Sequence, residues 1–125
     1  YMSELERIRK AIAEICATQH VEGTTCTTKE ISLFTPFETH DDILKLFAFM
    51  QQTAKTYGFL DTEPTQVGGC SDATYIQLAG TPVLCSCGVR GEWNHTLREY
   101  AIVESLYERI CWFTAAIIDS DALVF

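Results

Sequence analysis

The sequence predicts an α/β fold, and three observations carry that expectation. From residue 41 onward helical and strand-like patterns alternate, which implies parallel βαβ units joined by right-handed crossovers. The chain has 125 residues, 47% of them hydrophobic, enough to build one core without staples. Its mean hydropathy of +0.06 and 21% charged residues lie in the globular range.

Ser3-Glu4-Leu5-Glu6 reads as a capping box, and Leu5, Ile8, Ile12 and Ile15 follow at spacings of three, four and three. A helix is expected over residues 4–18. Beyond Gly23 the run Thr24 to Phe34 is rich in β-branched residues and stops at Thr35-Pro36, so a strand is expected. Thr39 or Asp41 caps a second helix whose Ile43, Phe47, Met50, Ala54 and Tyr57 form one stripe, with Gly58 as its stop. A short extended piece is expected near residues 63–67. Gly68-Gly69 then permits a tight turn, and Ser71 or Asp72 caps a short helix ending at Gly80. Pro82 to Cys87 reads as a buried strand. A long helix from Leu97 to Ser120 closes the chain, with Ile102, Leu106, Ile110, Phe113 and Ile117 on one stripe.

Charge narrows the range of functions. Nine Lys+Arg against seventeen Asp+Glu give a net charge of −8, and basic residues cluster only at Arg7, Arg9 and Lys10. Electrostatic binding to nucleic acid or to anionic lipid is therefore not expected. The apolar run Ile110 to Ile118 is interrupted by Thr114 and is far shorter than the ~20 residues of a membrane span. Tyr1 to Arg7 carries acidic residues where a signal peptide has a basic flank, so a cytoplasmic location is expected. Accordingly Cys16, Cys26, Cys70, Cys85, Cys87 and Cys111 are expected to be reduced and mainly buried. Cys85-Ser86-Cys87 has one spacer residue where zinc ribbons and redox motifs usually have two or more, and two thiols on one strand face are equally explained by packing.

Of the three histidines, His20 and His40 lie in polar connectors and need no special role. His95 differs. It sits in Gly88-Val-Arg-Gly91-Glu-Trp-Asn-His95-Thr-Leu-Arg-Glu99, a glycine-containing loop after an expected strand, where open α/β sheets place ligands.

An ordered series of motifs resembles the dinuclear zinc peptidases and amidohydrolases, the family of glutamate carboxypeptidase, aminoacylase, acetylornithine deacetylase and succinyl-diaminopimelate desuccinylase. Pro36-Phe37-Glu38 opens a helix, and Gly68-Gly69-Cys70-Ser71-Asp72-Ala73 is similar to the family's Gly-Gly-Gly-Ser-Asp-Ala turn. Gly80-Thr81-Pro82 matches its Gly-x-Pro, and Gly88 to Tyr100 resembles Gly-x-x-Gly-x-x-x-His-x-x-x-Glu-Tyr. The series spans about residues 21–120.

The resemblance implies that His95 ligates one of two zincs as neutral imidazole. It further implies that Gly69, Cys70 and Ser71 line a substrate pocket, with Glu99 supporting the loop or sitting near the metal. The implied activity is metallopeptidase-type hydrolysis of a peptide or N-acyl amino acid amide bond, in which a metal-bound water attacks the carbonyl. The family's remaining ligands and its general base lie upstream of the stretch matched here, so no catalytic residue is expected in this chain, which should be inactive alone. The fold implied is the C-terminal half of a zinc-peptidase-like catalytic domain (βαβα, residues 37–125) after a helix and strand from a lid or dimerisation domain (residues 1–36). Where carboxylate-binding members carry an arginine before Pro-Phe, this chain has Ile31 to Thr35; Arg90 is the substitute, or else a solvated surface arginine.

Two other functions compete with the hydrolase reading. One is a non-catalytic dimerisation or interaction module that keeps the fold; the other is metal or redox binding by Cys70, Cys85, Cys87 and His95, which requires those side chains to converge. Homo-oligomers are expected, because a parallel sheet needs both faces covered.

Overall fold

A computed structural model describes residues 1–125 and places most of the regular structure in four helices. Helix α1 (Met2–Ala17) begins two residues before the expected start at residue 4, so that Ser3 lies inside it, and carries no side-chain cap. The reason lies in its ion pairs: Arg7 holds Glu4 at 2.5 Å, and Arg9 holds Glu6 at 2.7 Å. Glu6 is thereby drawn along the helix instead of back over Ser3. No residue of α1 is buried, and Ile8, Ile12 and Ile15 remain exposed.

Helix α2 (Asp41–Tyr57) forms where the sequence places it and stops at Gly58 as expected. Its N-cap is His40 with no side-chain cap, in place of Thr39 or Asp41, and Tyr57 of the expected stripe is exposed. Asp41 and Asp42 in its first turn complement the helix dipole, and Gly58 ends it in the left-handed conformation at φ 75°. The Phe59 N–H then reaches back to the Ala54 carbonyl at 2.9 Å. Helix α3 (Ala73–Leu78) is short and is followed by Gly80 at φ 85°. Helix α4 (Val103–Ile118) packs on α2 and leads into a 3-10 turn at Ser120–Ala122.

The strands depart most from expectation. The one sheet is antiparallel and two-stranded, pairing β1 (Gly91–Glu92) with β2 (Tyr100–Ala101), in place of parallel βαβ units. Neither Thr24 to Phe34, residues 63–67, nor Pro82 to Cys87 forms a strand. High β-propensity does not make a strand without a neighbour to complete its ladder; in addition, Ser86 at φ 60° interrupts the extension of Pro82 to Cys87. Residues 97–99 lie in the connection between β1 and β2, and residues 100–101 form β2 itself, so α4 starts at Val103 and not at Leu97.

The core joins Met50 and Ala54 of α2 to Trp112 and Ala116 of α4, with Leu46, Phe49, Phe59 and Leu84 packed around them. Small residues at the crossing let the two helices approach, and Trp112 fills the gap beside them. Consequently α4 buries Ser105, Trp112, Ala115 and Ala116, not the expected stripe. Leu106, Ile110, Phe113 and Ile117 face outward, the last 72% exposed. The cysteines also correct the sequence reading: all six are free thiols, but four are exposed and Cys16 and Cys87 only half-buried. None of them enters the small core between α2 and α4.

Only nine residues are buried, and the chain exposes 9905 Å². A compact monomer of 14.1 kDa exposes roughly 6,700 Å². The excess is about half as much again, and many large aliphatic and aromatic side chains are exposed. No helix is long and apolar enough to cross a membrane.

Candidate functional site

The β1–β2 hairpin presents His95. Its root is fixed at α4, where the Arg90 backbone N–H donates to the Ser105 hydroxyl at 2.9 Å. That hydroxyl, fully buried, donates in turn to the Ile102 carbonyl at 2.6 Å. Ile102 N–H closes the ring by donating to Arg90 O at 2.8 Å. At Gly91 a Cβ would collide with the Tyr100 carbonyl oxygen, so the two arms approach as closely as they do only with glycine there.

Between the arms the chain turns sharply. Trp93 and His95 both take left-handed backbone conformations, at φ 66° and 64°, which large side chains seldom adopt. Thr96 stabilises the turn by bonding Trp93 O through its N–H at 3.1 Å and its hydroxyl at 2.7 Å. The Glu99 carboxylate accepts from the His95 backbone N–H at 3.3 Å. Arg98 lies 4.0 Å over the Trp93 ring, a cation–π contact across the same loop. His95 and Glu99 are both exposed.

The Gly68–Asp72 turn forms a second group. Ser71 Oγ accepts from the Ala73 N–H at 3.2 Å, capping α3 where Asp72 does not. The same hydroxyl lies 3.0 Å from the Cys85 thiol, and Ser86 Oγ lies 3.6 Å from that sulfur. These hydroxyls pull the Cys85 pKa below the ordinary thiol value, Ser71 most strongly. Cys87 moves the opposite way because it is partly buried. Cys70 does not take positive φ, so it occupies the third-glycine position of the motif without strain. Gly69 and Cys70 are exposed. Glu38 ties this group to the motif before α2: its N–H donates to Gln77 Oε1 at 3.3 Å, and its carbonyl accepts from Gln77 Nε2.

Arg90 takes a structural place. Its guanidinium meets Glu108 at 3.3 Å, and the same carboxylate accepts from Leu60 N–H at 3.0 Å. Sequence reasoning missed Ser105, Glu108 and Arg109 altogether. Arg109 lines a cavity of about 260 Å³ with Cys87, Val89, Leu106, Ile110 and Phe113, and its guanidinium lies 4.9 Å from the Trp112 ring. Its Nε is buried without a hydrogen-bond partner. A polar residue on a helix that is mostly apolar was the available signal.

These groups stay separate. No hydrogen bond links the His95 loop to the Gly68–Asp72 turn. Nowhere do three or more His, Cys, Asp or Glu side chains come together in a way that could hold a metal ion. Cys70, Cys85, Cys87 and His95 therefore do not converge. No family model, curated protein or solved structure matches the chain.

Proposed function

We propose that the chain is the closing part of the catalytic domain of a dinuclear zinc peptidase or amidohydrolase, contributing His95 to a site whose other ligands lie outside it. The observation that carries this reading is the backbone of the His95 loop. Two bulky residues, Trp93 and His95, are held in left-handed conformations, with Glu99 on the His95 N–H. Strain of this kind is stored where a side chain must be presented in one direction. His95 and Glu99 are also the two residues that the Gly-x-x-Gly-x-x-x-His-x-x-x-Glu-Tyr resemblance singles out. Substrates of the parent enzyme would be peptides or N-acyl amino acids; Gly69, Cys70 and Ser71 would line their pocket, and Arg90 stays engaged with Glu108.

The test uses the product of the complete reading frame beside this chain. The complete protein is expected to hold two zincs per site and to hydrolyse N-acetyl amino acids or dipeptides. His95→Ala should remove one zinc and most turnover, and this chain alone with added zinc should show none. A complete protein without zinc, or turnover by this chain that persists in His95→Ala, overturns the proposal.

A second reading, a non-catalytic association module, is favoured by a different observation. The outward face of α4 carries Leu106, Ile110, Phe113 and Ile117, all of them exposed. Under this reading the fold is completed by another polypeptide surface and no hydrolysis accompanies it.

A further inference from the structure

We propose that Cys16 and Cys26 form a dithiol modification site, oxidised to an intrachain disulfide by a small disulfide of the oxidised-glutathione class.

The placement follows from how the chain returns along α1. After Ala17 it reverses through a turn in which Thr24 bonds Val21 O by its N–H at 3.2 Å and its hydroxyl at 2.7 Å. Gly23 at φ 76° makes the reversal possible. Gln19 fastens the far side by donating to Thr24 O at 3.3 Å. Further along, Arg9 grips Glu30 through two bonds of 3.0 Å each. Arg9 and Cys16 are two helical turns apart on one face of α1, ~10 Å along its axis. Cys26 and Glu30 are four residues apart, a reach of at most ~14 Å. With Arg9 clamped on Glu30, the returning segment sets Cys26 level with Cys16.

The structure agrees with that geometry. Both cysteines line one cavity of about 440 Å³ beside Thr18, His20 and Thr24. Cys26 is the main influence on the Cys16 thiol, raising its pKa; partial burial adds to the rise and Thr28 opposes it. Cys26 is exposed and Cys16 half-buried, so a small oxidant reaches the first directly. A metal is the weaker occupant. Two thiols do not make up a zinc set, no third ligand joins them, and His20 directs its Nε2 at the Ile15 carbonyl, 3.1 Å away.

The chemistry balances in two exchanges. The Cys26 thiolate attacks one sulfur of the small disulfide; a Cys26 mixed disulfide forms and one small-molecule thiolate leaves. Cys16 then releases its proton to water, and its thiolate attacks the Cys26 sulfur, expelling the second small-molecule thiolate. Two protein thiols lose two electrons and one small disulfide gains them. Cys26 attacks first because it is the exposed member of the pair.

Peptide mapping of the intact chain, sampled during incubation with oxidised glutathione at pH 8 and quenched in acid, is the test. The Cys16–Cys26 cross-link should appear about tenfold faster than any other, because these two thiols share one cavity and the second step has the highest effective concentration there. Cys16→Ser should instead accumulate a stable glutathione adduct on Cys26. A different pair forming first, or a Cys26 adduct that persists in the unmodified sequence, overturns the proposal. The map of the unmodified chain decides by itself if the variant loses helix content by circular dichroism.

Discussion

The indole N–H of Trp112 donates to the backbone carbonyl of Met50 at 2.9 Å, across the crossing of α2 and α4. Both residues are buried, and the bond joins positions 62 apart in sequence. It satisfies the one polar atom of the largest core side chain and fixes how far α4 slides along α2. Everything anchored at the start of α4, including the Ser105 ring that fixes the His95 hairpin, inherits that register.

Trp112→Phe keeps most of the apolar volume and removes the donor. The Met50 carbonyl keeps its helical bond, so the loss should be about 1–2 kcal/mol: one neutral hydrogen bond plus a small void. Trp112→Ala should cost about 3–5 kcal/mol and empty the crossing. Urea midpoints followed by circular dichroism measure both. Equal loss in the two variants would mean that the indole's size contributes nothing beyond its hydrogen bond.

The Arg9–Glu30 pair gives a pH dependence with a definite sign. Arg9 holds the Glu30 carboxyl below its ordinary 4.5, so between the two values the unfolded chain binds more protons than the folded one. The pair's contribution is complete above pH 4.5 and is lost as pH falls through the lower folded value. Both side chains are exposed, so the effect should be small and weakened by 1 M salt. Carboxyl carbon titration by NMR should find Glu30 below 4.5, returning to 4.5 in Arg9→Gln. A normal value in the unmodified chain would mean that the segment after Gly23 is not docked on α1.

How much of this was legible in the sequence differs by element. Helix α2 was readable because Ile43, Met50 and Ala54 share a face that is buried and Gly58 supplies a stop of known mechanism. Helix α4 was readable as a helix, but its packed face was not. Large aliphatics mark a stripe, yet α4 buries Ser105, Ala115 and Ala116, whose small size permits close approach, and Trp112, which fills the gap beside them. Thr24 to Phe34 has strand composition without a partner, and pairing is a property of two segments. Motifs in the sequence mark His95, Ser71 and Cys70 as candidates. The geometry around His95 was not legible, since nothing in Trp93 or His95 announces a left-handed backbone, and the two-residue arms of the hairpin are too short to leave a periodic pattern.

Cys85 should be the thiol that reacts most readily near neutral pH among those of the Pro82 to Cys87 segment. Ser71 and Ser86 stabilise its thiolate, whereas burial raises Cys87. Iodoacetamide at pH 7 should alkylate Cys85 several-fold faster than Cys87, and Ser71→Ala should narrow that gap by about half or more, as Ser71 makes the larger contribution. Mass spectrometry of peptides at graded times reads both rates. Faster alkylation of Cys87 would overturn the expectation, since exposure and ionisation both favour Cys85.

Self-association is the last expectation, and the exposed surface sets its seam. Ile31, 91% exposed, lies in a segment that forms no strand, so it has no ladder with which to capture a second copy. The outward face of α4 is regular, with Leu106, Ile110, Phe113 and Ile117 on one helical stripe beside the apolar cavity that Arg109 also lines. Burying one such side chain contributes about 1.5–3 kcal/mol, so a charge placed there should weaken a dimer by about ten- to a hundredfold. Light scattering over a dilution series should find a dimer that Ile110→Glu dissociates and Ile31→Glu leaves nearly intact. A stronger effect at Ile31 would move the seam to the returning segment. A monodisperse monomer at every concentration would mean that the aliphatic surface of this chain is tolerated in water without a partner.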